Sequence, residues 1–184
     1  MVRGELVMKG YWRDPELTAR TVKDGWLHTG DVGLIDDDGH LQITDRKKDI
    51  IVNSGGDNIA PQRVEGILIL EREISQAMVY GDRRPHLVGV LVPDAEWSKE
   101  WAAANGREYD PKALAEDKAF HAALMTVVDR VNRSLSTIEK VRRVIVAPEH
   151  FTMDNGQITP TLKLRRHKIV EVYGTALNAL YGKE

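Results

Sequence analysis

Residues 45–65 read DRKKDIIVNSGGDNIAPQRVE, and the stretch holds four unlike things in sequence. A basic cluster, Arg46, Lys47 and Lys48, comes first. A short β-branched run follows at Ile50, Ile51 and Val52, then a glycine pair at Gly55 and Gly56. Last is a helix start, with Pro61 ahead of Gln62, Arg63, Val64 and Glu65. Proline suits a first helical turn, where its missing N–H has no partner to lose. A glycine pair before a helix frees the backbone for positive φ and for close approach of a ligand. A cation cluster beside such a loop points to a phosphate-rich ligand. Taken alone, the stretch reads first as a surface strand–turn–helix corner with solvated charges.

Outward from this stretch the chain divides. Upstream, Gly4–Lys9 alternates weakly and predicts a strand. Asp14-Pro15-Glu16 opens a helix running to about Val22, with Asp14 as cap. Val32–Ile35 and Leu41–Thr44 predict strands joined by the hairpin signal Asp36-Asp37-Asp38-Gly39. This β-rich piece starts in mid-strand, as the tail of a larger domain would. Downstream, helices are expected over Pro61–Glu71, Glu96–Asn105, Lys112–Leu135 (with a break near Asp117) and Lys163–Leu180. Strands are expected at Ile50–Asn53, Ile74–Tyr80, Leu87–Val92 and Val141–Val146. That alternation predicts an α+β fold, with a three-stranded sheet flanked by helices.

Composition narrows the function classes. With 26 Lys+Arg against 28 Asp+Glu, the net charge of −2 argues against a general nucleic-acid binder, which needs a basic excess. The absence of cysteine excludes disulfides, thiolate metal sites and cysteine nucleophiles, and fits a reducing compartment. No apolar run approaches the ~20 residues of a membrane span, and MVRGELVMKG lacks the apolar core of a signal peptide. The expected location is cytoplasmic, with peripheral membrane contact left open.

Two further stretches sit in a telling order: Gly25-Trp26-Leu27-His28-Thr29-Gly30-Asp31, and Thr159-Pro160-Thr161-Leu162-Lys163-Leu164-Arg165-Arg166. Together with DRKKDIIVNSGG they resemble the C-terminal part of the AMP-forming acyl-CoA synthetases, in the adenylate-forming ligase superfamily. The wording is most similar to the long-chain fatty acid CoA ligases. The resemblance covers nearly the whole chain. It implies that residues 1–45 are the β-rich end of the adenylate-binding N-terminal domain. Residues 46–184 would be the mobile C-terminal domain, joined through a hinge.

The resemblance also assigns residues. Asp31 matches the carboxylate that holds the ribose of AMP, and two carboxylate oxygens suit the paired 2′ and 3′ hydroxyls. Arg46 matches the arginine that touches the same ribose, the alternative being a surface ion pair with Asp45 or Asp49. Lys48 falls at the hinge, which needs a solvated residue tolerant of large φ/ψ change. Gly56 matches the glycine past which the pantetheine arm of coenzyme A slides, where a side chain would obstruct. Asn58 lies near the phosphate or thiol chemistry, where many relatives carry Gln or Arg; Asn53 stands where several carry Lys. Lys163 matches the catalytic lysine of adenylation: a long cation reaches the charge that builds as a carboxylate attacks the α-phosphate. Many relatives read Ser-Gly before that lysine, where this chain has Thr161-Leu162. The alternative for Lys163 is a basic helix N-terminus, disfavoured by the helix dipole. Arg83, Arg84, Arg142, Arg143, Arg165 and Arg166 are either contacts for the coenzyme A phosphates or solvated faces. No metal ligands are assigned.

The implied activity of the full-length enzyme is activation of a fatty acid with ATP, accompanied by Mg²⁺, followed by transfer of the acyl group to coenzyme A. Its partners would be those small molecules and the N-terminal domain, with no nucleic acid. The phosphate loop of the family does not occur in these 184 residues, so they alone are expected to lack ligase activity. Two rivals remain: an acyl-AMP ligase or adenylation domain that loads a carrier-protein phosphopantetheine, and a non-catalytic interaction module keeping the fold.

Overall fold

The computed structural model describes residues 1–182, the side chains of Thr44 and Asp45 excepted. The chain forms two compact units, Met1–Ile50 and Ile51–Glu184. In the first, α1 (Pro15–Thr21) is capped by Asp14, whose carboxylate accepts from the Leu17 N–H at 2.8 Å. The two-residue strands β1 (Val22–Lys23) and β2 (Trp26–Leu27) pair antiparallel. The longer strands β3 (Asp31–Ile35) and β4 (Leu41–Arg46) form a hairpin. Its turn is closed by Asp36, whose Oδ1 accepts from the N–H groups of Asp38 and His40. Gly4–Lys9 is not a strand: it forms turns and bends, with Leu6 fully exposed. Among the described residues its alternation finds no neighbouring strand to satisfy the N–H and C=O groups that an extended segment presents.

The second unit begins with the short antiparallel pair β5 (Ile51–Val52) and β6 (Asn58–Ile59), leading into α2 (Pro61–Leu68). Its centre is a three-stranded sheet in the order β7 (Ile74–Tyr80), β8 (Leu87–Pro93), β9 (Val141–Val146). The β7–β8 pairing is antiparallel and the β8–β9 pairing parallel. Leu87–Val92 of β8 are all buried, because helices cover both faces, which is why that strand reads as an unbroken apolar run. Side chains alternate across it. Leu87 and Leu91 pack with Val64 and Leu68 of α2 and with Val127, Val128 and Val131 of α5 (Lys118–Asn132). Val88, Val90 and Val92 pack with Phe151 and with Ile169 and Leu177 of α6 (Arg166–Ala179). A third cluster joins Ala102 of α3 (Ala95–Ala104), Leu114 of α4 (Pro111–Glu116) and Phe120.

The expected break near Asp117 is a double cap. Asp117 ends α4 in an extended conformation, and its carboxylate accepts from the N–H groups of Ala119 and Phe120 to start α5. The last helix starts at Arg166 rather than Lys163. Among the described residues, no helix is long and apolar enough to cross a membrane.

One buried ion pair ties three of these elements together. Glu65 of α2 is 6% exposed and is held fork to fork by Arg166, at 2.7 Å from Nη1 and 2.6 Å from Nη2. The Val79 N–H donates to Glu65 Oε1 at 2.8 Å, and the Val79 carbonyl accepts from Arg166 Nη1 at 3.3 Å. The pair therefore satisfies the outward N–H and C=O of Val79 on the sheet's edge strand β7, a place where unpaired groups invite misassociation. Arg166 is thus neither a solvated charge nor available to a phosphate. Removing one partner leaves the other charge buried and uncompensated. Glu65→Ala is expected to lower the unfolding free energy of the 184-residue chain by about 3–5 kcal/mol. Equilibrium urea denaturation measures this, with the exposed Arg83→Ala as a control changing it by under about 0.5 kcal/mol.

Candidate functional site

Asp31 and Arg46 stand directly opposite one another in the β3–β4 register. Cross-strand neighbours on one face lie close enough for side chains to meet, and the Arg46 Nε lies 3.2 Å from Asp31 Oδ1. Arg46 therefore pairs across the hairpin rather than with Asp49 beside it; the Asp45 side chain lies outside the described residues. Both groups keep an open side, Asp31 being a quarter exposed and Arg46 about half. The Thr29 hydroxyl accepts from the Asp31 N–H at 3.2 Å, and the Lys47 N–H donates to the Gly30 carbonyl at 2.8 Å. These bonds fix the Gly30-Asp31 corner, where Gly30 adopts φ +74°. Lys48 is exposed in the turn Lys47–Asp49, just ahead of Ile51, where the second unit begins.

Gly56 lies in the loop from β5 to β6, and the organiser of that loop is Asn53. Its side-chain oxygen accepts from the N–H groups of Gly55 and Asp57, both at 2.9 Å. Its amide nitrogen donates to Asp57 Oδ2 at 3.0 Å. The backbone adds Asn53 N–H to the Asp57 carbonyl at 3.1 Å and Gly56 N–H to the Asn53 carbonyl at 3.1 Å. Asn53, read from sequence only as a departure from lysine, is thus the structural keystone of the loop. Asn followed closely by glycine is the signal that carries this, since Asn side chains fold back onto their own backbone. Asn58 is exposed on β6, opposite Val52. The turn Gly81–Arg84 braces the loop from below: Arg83 N–H donates to the Val52 carbonyl, Ser54 N–H to the Arg84 carbonyl, and Val52 N–H to Asp82 Oδ1.

Lys163 sits in a small hairpin, not on a helix. The base of this hairpin is an Arg165 N–H to Gln157 carbonyl bond at 2.8 Å and a bridge between Ile158 and Leu164. Both apolar side chains pack against the core face covered by α6. At its tip Pro160 and Thr161 turn the chain, and the Leu162 N–H donates to the Thr159 carbonyl at 2.9 Å. Leu162 takes φ +58°, the left-handed conformation that normally closes such a turn with glycine. The Lys163 side chain is exposed, and its ammonium has no ion pair among the described residues.

Of the remaining arginines considered for a phosphate, Arg83, Arg142 and Arg165 are exposed. Arg84 instead donates to Asn178 Oδ1 at 2.5 Å and lies 4.9 Å over the Tyr181 ring. Burial raises the Tyr181 phenol above its ordinary pKa, and its hydroxyl donates to the Tyr80 and His86 carbonyls. Arg143 donates to the Leu180 carbonyl. Asp36, Asp38 and His40 bring ligand atoms within 4.8 Å of one another, but the hairpin turn described above accounts for that cluster.

Residues 48–184 match the family profile described as AMP-binding enzyme C-terminal domain. Among curated proteins the chain is similar to long-chain-fatty-acid–CoA ligase FadD15 of Mycobacterium tuberculosis, with 38% identity over 100% of this chain and 31% of that protein. It is also 38% identical to long-chain-fatty-acid–CoA ligase 5 of Rattus norvegicus, over 98% of this chain and 27% of that protein. The chain therefore spans under a third of the length of these relatives. Among solved structures it is similar to the adenylation domain of a carboxylate reductase from Mycobacterium chelonae. There the TM-score is 0.81 and the identity 29%, over 95% of this chain and 26% of that one. The A domain of a carboxylic acid reductase from Segniliparus rugosus, solved with AMP and a co-purified carboxylic acid, gives a TM-score of 0.82 at 27% identity, over 98% of this chain and 27% of that one.

A Cβ added at Gly56 would meet nothing within 4 Å, yet the backbone there holds φ +86°. Gly56→Ala is therefore expected to cost about 1 kcal/mol through backbone strain alone, read as a shift in the urea midpoint without a change in m-value.

Proposed function

The chain belongs to the AMP-binding enzyme C-terminal domain family, and from that premise we propose that it is the C-terminal part of an ATP-dependent, AMP-forming long-chain fatty acid–CoA ligase. A fatty acid carboxylate oxygen attacks the α-phosphorus of ATP. The bond to the bridging oxygen breaks, pyrophosphate leaves, and acyl-AMP remains. Lys163 meets the charge that builds on the phosphoryl oxygens and the departing pyrophosphate. Asp31 accepts from the ribose hydroxyls, and Arg46, already beside it, donates to the same sugar. The nucleotide would be bound as its Mg²⁺ complex, which would supply charge neutralisation at the phosphates. In the second half-reaction the unit from Ile51 onward turns about Lys48. It withdraws Lys163 and presents the Gly56 loop, with Asn58 beside it, to coenzyme A. The thiolate attacks the acyl carbonyl carbon and AMP leaves. The same proposal places the full-length protein in the cytoplasm.

The observation that carries this reading is the state of Lys163: an exposed ammonium, with no ion pair among the described residues, on a braced hairpin. A surface lysine of no consequence needs no such bracing. The 38% identity to long-chain fatty acid CoA ligases supports the substrate class. The likeness to carboxylic acid reductase A domains favours one second reading, in which the acceptor is a carrier-protein phosphopantetheine. Thioester formation by the full-length protein with free coenzyme A separates the two.

Lys163→Ala in the full-length protein is expected to lower fatty acid-dependent ATP–pyrophosphate exchange by on the order of 10²–10³-fold. Thioester formation from pre-made acyl-AMP and coenzyme A should persist. Unchanged exchange would remove Lys163 from the chemistry and favour a non-catalytic module. Asp31→Ala is expected to raise the KM for ATP by about tenfold, the effect of about 1.4 kcal/mol of lost ribose binding, measured by steady-state kinetics.

A further inference from the structure

A catalytic cation on a flexible four-carbon stem works only if its backbone is placed to within about half an ångström, so what holds Lys163 is a question in its own right. The polar contacts of the hairpin tip converge on one residue. Thr159 accepts from the Lys163 N–H through its hydroxyl, Oγ1, at 3.1 Å. Its own N–H donates to the Lys163 carbonyl at 2.9 Å, and its carbonyl accepts from the Leu162 N–H at 2.9 Å. The Thr159 hydroxyl also bonds the Thr161 hydroxyl at 3.0 Å, so its rotamer is held from both sides.

This clasp restrains a strained backbone. Leu162 adopts φ +58° and is 73% exposed, so burial within its own unit does not offset the left-handed conformation that leucine disfavours. Leucine also lacks the polar side chain with which Asn or Asp supports that conformation locally. Without the bond from the Lys163 N–H to Thr159 Oγ1, only the backbone bonds of the turn oppose relaxation of Leu162 toward negative φ. That relaxation rotates the peptide leading into Lys163 and re-aims its side chain. A rotation of this kind moves the ammonium by more than the tolerance of an in-line phosphoryl reaction.

We propose that Thr159 is a positioning residue for adenylation: its hydroxyl clasps the backbone of Lys163 and holds Leu162 in the left-handed conformation that aims the lysine at the reacting phosphate. The inference rests on the reading of Lys163 given above, and goes beyond it by assigning the aim of that lysine to a side chain four residues away. It concerns one half-reaction only, because the Gly56 loop is held by Asn53 and by the Gly81–Arg84 turn, neither of which is hydrogen-bonded to Thr159 among the described residues.

The test compares Thr159→Val, which keeps the branched shape and removes the acceptor, with Thr159→Ser, which keeps the hydroxyl. Both are made in the full-length protein beside Lys163→Ala. ATP–pyrophosphate exchange with a long-chain fatty acid is measured, together with thioester formation from pre-made acyl-AMP. Thr159→Val is expected to lower the kcat of exchange about 10- to 100-fold, with the KM for ATP and the thioester half-reaction within about threefold of the parent. Thr159→Ser should recover exchange to within about threefold. Thioester formation, served by the same folded unit, reports directly that Thr159→Val has folded. Exchange lost in Lys163→Ala but retained in Thr159→Val overturns this inference alone. Equal loss in Thr159→Val and Thr159→Ser, or parallel loss of both half-reactions in Thr159→Val, overturns it as well. Exchange retained in Lys163→Ala overturns the underlying assignment of the lysine and this inference with it.

Discussion

The fork-to-fork contact between Glu65 and Arg166 is the constraint on which the second unit depends. Two charges have left water to form it, and a buried pair of this kind is tolerated only when geometry and extra hydrogen bonds offset the desolvation. Both conditions hold. The guanidinium meets both carboxylate oxygens, and the N–H and C=O of Val79 add one bond to each partner. The pair also answers a problem at the start of α6. Arginine beside a helix N-terminus opposes the helix dipole, and Arg165 provides no side-chain cap. The carboxylate of Glu65 supplies the negative charge that this end wants. One interaction therefore seals a sheet edge, neutralises a helix terminus and joins segments separated by 101 residues.

Its position gives the pair a second consequence. Glu65 lies in the helix that follows the Gly56 loop, and Arg166 follows Lys163 by three residues, next to the base of its hairpin. The two loops proposed to serve the two half-reactions are thus rooted in the same buried contact. A rigid body carrying both can exchange one for the other by turning, without rebuilding either. Each loop has its own local fastening as well: a side-chain amide at Asn53 and a side-chain hydroxyl at Thr159. Each also contains a residue in the left-handed region, Gly56 in one and Leu162 in the other. Glycine takes that conformation freely. Leucine does not, and its N–H is held by the Thr159 carbonyl at 2.9 Å.

Much of this was legible in the residues. Leu87–Val92 reads as a strand of a sheet flanked by helices, and β8 lies there. Asp14 reads as the cap of the first helix and Asp117 as a break, and the carboxylate of each satisfies free N–H groups at a helix start. The motif around Asp31 placed a carboxylate where Arg46 reaches it. Other readings failed for stated reasons. The alternation in Gly4–Lys9 found no partner strand. Lys163 was taken into α6 because its neighbours are good helix formers, whereas Pro160 and the left-handed Leu162 hold it in a hairpin. Arg166 looked like one more exposed cation in a basic run, and Asn53 looked like a substitution rather than the residue around which its loop is folded.

What the residues alone determined is whatever depends on near neighbours: caps, turns, strand periods, and the motif spacings that identify the family. Those properties arise from contacts within a few positions, so they survive being read as text. What only the folded chain decided is which charges face water and which face each other. Arg83 and Arg166 are the same residue type in similar polar surroundings, and no local pattern separates them. The difference lies in a carboxylate brought across from α2, whose field acts through space and not along the chain.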